Sequence, residues 1–206
     1  MKKKIISLFI IMLMTSISFT ITISAGSEED PEIEDVTDTE VAEYLDVLSA
    51  WFYEKEDQPE YLFTAIKMKK ISLFHLKQHL FISWDHNEVP CASGMIIGYG
   101  KPWAVQTAGY GHGWWFEEHY QRVEGDYDPY TGIITCKIPK EIINNPQKGD
   151  VLTNTYASAF QRFGFLGRLG FDRGFLKTMI YHLSGIDLVD FAPEPDGYGR
   201  DYIIQY

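Results

Sequence analysis

The sequence predicts a mainly β protein, an antiparallel β-sandwich of the jelly-roll type with one helical insertion near residues 172–184. Six to eight short apolar runs are separated by turn residues, as is typical of antiparallel sheets. Only the stretch around 172–184 carries apolar residues at helical spacing. A parallel α/β fold would need a helix between most strands, so the pattern favours two packed sheets. Aromatic residues make up 15% of the chain, enough to fill such an interior.

The first 25 residues have the order of a secretory leader. Lysines at positions 2–4 precede an uncharged apolar stretch, Ile5–Ile23, and small residues follow it. We therefore expect residues 1–25 to be a signal peptide that is cleaved near Ala25 or Gly26. The apolar stretch is also nearly as long as the roughly 20 residues that span a bilayer, so a retained N-terminal anchor is the alternative. Both interpretations predict a secreted or cell-surface protein, which touches a membrane only through an uncleaved leader.

Acidic residues dominate the next segment, 26–44, which we predict to be a linker before a single domain at 45–206. The chain has 18 basic and 29 acidic residues, and three of the lysines belong to the leader. The remainder therefore carries 15 basic and 29 acidic residues, a net charge of −14. Because this charge repels phosphate backbones, nucleic acid is not an expected partner.

Alternating apolar residues and turn signals place the strands of the domain. Leu80–Asp85 and Glu88–Ile97 flank Asp85-His86-Asn87, which we predict to be a hairpin turn. Residues 98–113 are rich in glycine and are predicted to form a long loop, and a short helical turn is expected at Pro139–Ile143. The other predicted strands are Leu45–Tyr53, Tyr61–Met68, Trp114–Val123, Ile133–Ile138, Val151–Phe160 and Asp201–Gln205.

The chain has two cysteines, Cys91 and Cys136. In an oxidising compartment, two cysteines with no others in the chain form a disulfide more often than a metal site. We therefore predict a bond between them, which would link the strand after the hairpin turn to the strand before Pro139.

The sequence contains none of the common catalytic signatures. Neither His-Glu-x-x-His nor Gly-x-Ser-x-Gly occurs, and the glycine-rich run at 109–113 lacks the spacing of a phosphate-binding loop. Glu117, Glu118, Asp126 and Asp128 lie near tryptophans, as a sugar-cleaving pair of carboxylates would. Glu117 and Glu118 are adjacent, however, and would point to opposite faces of a strand. We predict no catalytic residue.

Two clusters are candidate binding sites. Trp103, Tyr110, Trp114 and Trp115 fall within 13 positions, interleaved with glycines, and are predicted to stack on a ligand such as a sugar. The segment 126–132 resembles half of a calcium loop, in which Asp126 and Asp128 would be ligands. A plain solvated turn is the alternative interpretation of that segment.

Several motifs carry a resemblance to known proteins. They are Pro31–Asp35, Asp46–Trp51, Trp84-x-x-Asn87, Asn145–Thr155 and Ala192–Tyr202. On these motifs the chain resembles a group of secreted, largely archaeal β-sandwich proteins of unknown function, similar in outline to DOMON domains and family-nine carbohydrate-binding modules. The resemblance implies a β-sandwich and an extracytoplasmic location, and it implies no established chemistry.

We therefore expect a non-catalytic extracytoplasmic binding or surface module whose ligand is a carbohydrate. A secreted enzyme similar to glycoside hydrolases and a structural component of the cell surface are the alternatives. Arg200 and Asp201 have a structural role in this interpretation. Arg200 is expected to pair with Asp35, Asp38 or Asp46 and so to fasten the two ends of the chain.

Overall fold

The computed structural model describes residues 26–36, 41–72, 78–98, 101–108, 121–161, 189–193 and 197–206. Twelve strands and one 3-10 helix, Lys140–Ile142, lie in these ranges. The predicted helical insertion at 172–184 falls outside the described residues. No helix within the described ranges has the length and apolar character needed to cross a membrane.

The strands form two antiparallel sheets in the described part of the chain. The first sheet has the order β1-β2-β3-β9-β8, and the second has the order β11-β10-β4-β5-β6-β7, with β12 also paired to β10. The bounds are β1 Ile33–Glu34, β2 Val47–Tyr53, β3 Tyr61–Met68, β4 Gln78–His86, β5 Val89–Gly98, β6 Lys101–Ala108, β7 Gln121–Arg122, β8 Glu124–Asp128, β9 Ile133–Pro139, β10 Val151–Gln161, β11 Val189–Ala192 and β12 Tyr202–Ile203.

Both sheets contribute side chains to one buried apolar cluster. Phe52 and Leu62 come from the first sheet, and Leu80, Ile82 and Trp84 come from the second. The ring of Trp84 meets that of Phe52 edge to face, with centroids 5.4 Å apart. Each such side chain stabilises the fold by roughly 1.5–3 kcal/mol when it is fully buried, so the shared cluster holds the sheets together.

The predicted linker at 26–44 is partly wrong, because its described residues belong to the folded domain. Ile33 pairs with Ala50 across β1 and β2 and is fully buried. The Asp35 N–H donates to the Leu48 carbonyl at 3.0 Å, which extends the pairing. Val41 and Tyr44 also pack against the core. The buried Ile33, the main-chain bond of Asp35 and the packing of Val41 and Tyr44 together hold this acidic segment at the edge of the first sheet.

The predicted long loop at 98–113 is also wrong in part, since Lys101–Ala108 forms strand β6. It pairs with β5 over its whole length, from Gly98 opposite Lys101 to Cys91 opposite Ala108. Glycines flank the strand rather than interrupt it, and residues 99–100 lie between the two paired strands. The composition of the segment as a whole therefore obscured a short strand whose partner is adjacent in sequence.

The predicted disulfide is absent, because Cys91 and Cys136 are both free and buried. Cys136 lies on β9 of the first sheet, and its thiol donates to the Gly94 carbonyl of β5 at 3.3 Å. Cys91 precedes Gly94 by three residues on β5, about 10 Å away from it at the rise of a strand. The Cys136 thiol thus lies against a part of β5 other than the one that carries Cys91. Burial raises the pKa of each thiol to about 12.

Candidate ligand-binding face

The second sheet has one face toward the shared core and one face away from it. Leu80, Ile82 and Trp84 of β4 point to the core, so the alternate side chains of this strand point the other way. We call this second surface the outer face. Its paired side chains in β4 and β10 are Ser83 with Tyr156, Phe81 with Ser158, and His79 with Phe160.

The central part of the outer face, on β4 and β5, is buried. Phe81, Ala92 and Ile96 form an apolar cluster against which Phe160 packs. The ring of His79 is stacked on that of Phe160, with centroids 4.8 Å apart and planes 9° apart. Because His79 is only 1% exposed, it is a stacked core residue and offers no open surface to a ligand.

The edge of the outer face at β11 and residues 197–200 carries exposed aromatic rings. Phe191 is 52% exposed and Tyr198 is 63% exposed. The Tyr198 ring lies 6.3 Å from that of the partly buried Tyr156, at an interplanar angle of 57°. Phe191 pairs with Ser158 and is thus diagonal to Tyr156, at about 7–8 Å between Cα atoms. We call Tyr156, Phe191 and Tyr198 the aromatic platform.

Polar side chains lie beside the aromatic platform. The amide of the exposed Asn154 donates to the Asp85 carboxylate at 2.7 Å, and Ser83 lies opposite Tyr156. This bond leaves Asn154 with a second N–H and an amide oxygen, and leaves Asp85 with further acceptor capacity. The arrangement combines flat apolar rings with fixed donors and acceptors, which is what a hydroxylated ligand requires.

A bulge in β10 turns Tyr156 toward the outer face. Thr153 pairs with Asp85, but the next pair is Tyr156 with Ser83, so β10 has one extra residue there. Asn154 lies inside the bulge with φ 52°, a left-handed conformation that asparagine tolerates better than most residues. Bulges of this kind often redirect side chains next to functional sites.

The C-terminal segment holds Tyr198 in place. The N–H of Gly199 donates to the Thr155 carbonyl at 2.7 Å, and the Thr155 hydroxyl donates to the Arg200 carbonyl at 3.0 Å. A Cβ on Gly199 would lie 2.5 Å from the Glu32 carbonyl oxygen, so only glycine permits this close approach. Tyr198 is therefore fastened to the strand that carries Tyr156.

Two motifs of the resemblance meet at one end of the second sheet. His86, in Trp84-x-x-Asn87, lies 3.1 Å from Asp150, in Asn145–Thr155, measured from Nε2 to Oδ2. A main-chain bond from Gln147 and then the His86 bond hold the pKa of Asp150 below its usual value. The pair ties the β4–β5 turn to the start of β10, and thereby supports the bulge that follows.

Of the four predicted ligand-binding residues, only Trp103 belongs to the part of the chain that the structure describes. Trp103 lies on β6 opposite Ile96, whereas Tyr110, Trp114 and Trp115 fall outside the described residues. Phe191 and Tyr198 were missed by the sequence analysis. β11 has only four residues, too few to set it apart from a loop, and its buried Asp190 and exposed Phe191 reverse the usual pattern of apolar burial.

The predicted calcium ligands serve a hairpin turn in this structure. Asp126 accepts the N–H of Tyr127 at 2.8 Å. Asp128 accepts the N–H of Tyr130 at 2.8 Å and the hydroxyl of Thr131 at 3.0 Å, and these bonds lower its pKa. Across the described ranges, no group of three or more His, Cys, Asp or Glu side chains is arranged to hold a metal ion.

Arg200 lies against the start of the described chain. Its guanidinium is 2.5 Å from the Asp30 carboxylate and 2.6 Å from the Pro31 carbonyl, and its main-chain N–H donates to the Glu32 carbonyl. The partner is thus Asp30, and not Asp35 or Asp46, of which the latter pairs with Lys69. Asp38 lies outside the described residues, and Asp201 is exposed.

Comparisons with known proteins do not identify the chain. No protein-family model, no curated protein and no solved structure matches it. Its function is therefore inferred from the geometry and chemistry of the outer face.

Proposed function

We propose that this chain is an exported, non-catalytic module that binds a carbohydrate on the outer face of its second sheet. The proposal includes the fold: the two antiparallel sheets pack as a sandwich around their shared core. It also includes the leader at 1–25 and the resemblance to secreted β-sandwich proteins. The core side chains that come from both sheets support the fold part of the proposal.

The aromatic platform is the observation that carries the proposal. Phe191 and Tyr198 expose more than half of their area, beside the partly buried Tyr156. Aromatic rings in such a place stack on the apolar faces of sugar rings. Asp85 and Asn154, which are bonded to each other, keep free capacity to hydrogen-bond to the hydroxyl groups of a sugar. A net charge of −11 for the whole chain disfavours acidic glycans, so the expected ligand is a neutral one.

A glycan array probed with the chain from Gly26 to Tyr206, with and without calcium, tests the proposal. We expect binding to a neutral glycan. Phe191→Ala and Tyr198→Ala should each weaken it by about tenfold or more, since a stacked anchor residue contributes at least about 1.4 kcal/mol. Asn154→Ala should weaken it by less, because one neutral hydrogen bond contributes about 1 kcal/mol.

Tyr130→Ala is the matched control. Tyr130 is 97% exposed, but it lies between β8 and β9 of the first sheet. Its loss should leave glycan binding unchanged. Binding that survives both platform variants would place the ligand elsewhere. Cleavage of a bound glycan during incubation would instead support the glycosidase alternative.

A further inference from the structure

Glu32 is a buried carboxylate at the edge of the first sheet. Its Oε2 accepts the N–H of Phe52 at 2.9 Å, and the residue is 7% exposed. Loss of hydration on burial raises its pKa to about 7, although the bond from Phe52 and the nearby Arg200 act in the opposite direction. The titratable or charged groups that interact with it are Asp30, Arg200 and Tyr202.

Gly26 lies directly against this carboxylate. A Cβ built on Gly26 would be 2.3 and 2.6 Å from the two Glu32 oxygens and 2.4 Å from the Phe52 carbonyl oxygen. Since Cβ and N of one residue are about 2.5 Å apart, the Gly26 nitrogen is within about 5 Å of Glu32. Ser27 and Asp30, joined by reciprocal main-chain bonds, form the turn that returns the chain to this place.

We propose that Gly26 is the first residue of the mature protein, and that its α-ammonium group forms a buried ion pair with Glu32. The inference rests on the proposed export of the chain and deepens the prediction of cleavage near Ala25 or Gly26. Removal of the leader would then supply a cation next to this carboxylate, in addition to the nearby Arg200.

The surroundings of Gly26 suit an ammonium group. An ammonium has three N–H donors, and the Glu32 carboxylate and the Phe52 carbonyl provide acceptors next to it. Any side chain at position 26 would collide with the Phe52 main chain, so glycine is required there. A positive charge within about 5 Å of a buried carboxylate stabilises its ionised form.

The proposal predicts a change in pH dependence. In a chain with a blocked amine, Glu32 binds a proton more tightly when folded than when unfolded. Stability should therefore fall as the pH rises from about 4.5 to about 7. With the free ammonium, the pKa of Glu32 drops and this loss disappears. Stability is instead lost above about pH 8, as the pH rises through the raised pKa of the amine.

The first test is the N-terminal sequence of the protein exported from cells that express the full chain. Gly26 as the first residue is expected, and any other first residue overturns the proposal. The second test compares chains from Gly26 to Tyr206 with a free or an acetylated α-amine. Acetylation should lower the thermal midpoint at pH 7 by at least about 6 °C.

Glu32→Gln and Glu28→Gln complete the design. In the Glu32→Gln background, acetylation should have little effect, because the charge partner is gone. In Glu28→Gln, a matched change at an exposed carboxylate that pairs with Lys67, acetylation should keep its full effect. An equal effect of acetylation in all backgrounds overturns the proposal. These readouts involve no glycan, so they fail or succeed independently of the proposed binding function.

Discussion

Lys140→Met should destabilise the protein far more than the loss of a surface charge. The Lys140 ammonium lies 2.5 Å from Glu54, and the two side chains are 6% and 0% exposed. Lys140 also donates to the main-chain oxygen of Tyr206 at 2.5 Å. Glu54 accepts the N–H of Gln205 and the hydroxyl of Tyr202. The pair thus anchors the C-terminal segment to the ends of β2 and β9.

The expected magnitude follows from what remains after the substitution. Removing one partner of a buried ion pair costs about 3–5 kcal/mol, because the other charge is left buried without compensation. Glu54 keeps its bonds from Gln205 and Tyr202, which favours the lower end of this range. For a chain of this length, about 3 kcal/mol corresponds to a fall of roughly 6–12 °C in the thermal midpoint.

Thermal and urea unfolding of four proteins measure this effect: the wild type, Lys140→Met, Glu54→Gln and the double variant. The double variant should be less destabilised than the sum of the single variants, since it leaves no unpaired charge. Lys70→Met is the control, because Lys70 and Glu43 form an exposed pair worth about 0–1 kcal/mol. Additive single effects, or a Lys70→Met loss as large as that of Lys140→Met, would refute the reasoning.

Two further outcomes are expected. Gly94→Ala should lower the free energy of unfolding by at least about 2 kcal/mol, because the added Cβ would lie 1.9 Å from the Leu80 carbonyl oxygen. Gly197→Ala is the control, since the nearest atom to its Cβ is 3.7 Å away. Equal chemical-denaturation curves for the two variants would contradict the prediction. Cys91 and Cys136 should both react with a thiol reagent after unfolding and neither before it, since burial raises both pKa values to about 12. A mass 2 Da lower than that of the dithiol would show that the cysteines are bonded after all.

The sequence predicts the strands that have strong alternation. Tyr61–Met68 was predicted with its observed bounds, and Ile133–Ile138 lacks only the final Pro139. The predicted turn Asp85-His86-Asn87 lies too early in the chain, because Asp85 and His86 end β4 and the observed turn is at Asn87 and Glu88, which both have positive φ. The helical turn predicted at Pro139–Ile143 is the 3-10 helix Lys140–Ile142. Apart from that turn, the pattern of apolar and turn residues in these segments predicts the observed secondary structure.

The predictions that were wrong have a common physical cause. They concern residues whose strand pairing is not apparent from the local composition. The five residues of β8 are mostly exposed and carry three carboxylates, yet all five pair with β9. The orientation of Tyr156 at the candidate site could likewise not be predicted from the sequence pattern. Strict alternation from the buried Leu152 would point Tyr156 toward the core, and the bulge after Thr153 reverses this. The aromatic platform therefore depends on one inserted residue that no periodicity reveals.

The segment that carries Tyr198, Gly199 and Arg200 connects the N-terminal part of the described chain to the aromatic platform. The N–H of Arg200 donates to the Glu32 carbonyl, and the N–H of the preceding Gly199 donates to the Thr155 carbonyl. Tyr198 thus directly precedes Gly199 and Arg200, which together bridge the strand of Tyr156 and the N-terminal segment. Because the Arg200–Asp30 pair is exposed, it contributes only about 0–1 kcal/mol, and the main-chain bonds to Glu32 and Thr155 position the segment. If leader removal fixes Glu32, as proposed above, it would also steady the segment that presents Tyr198.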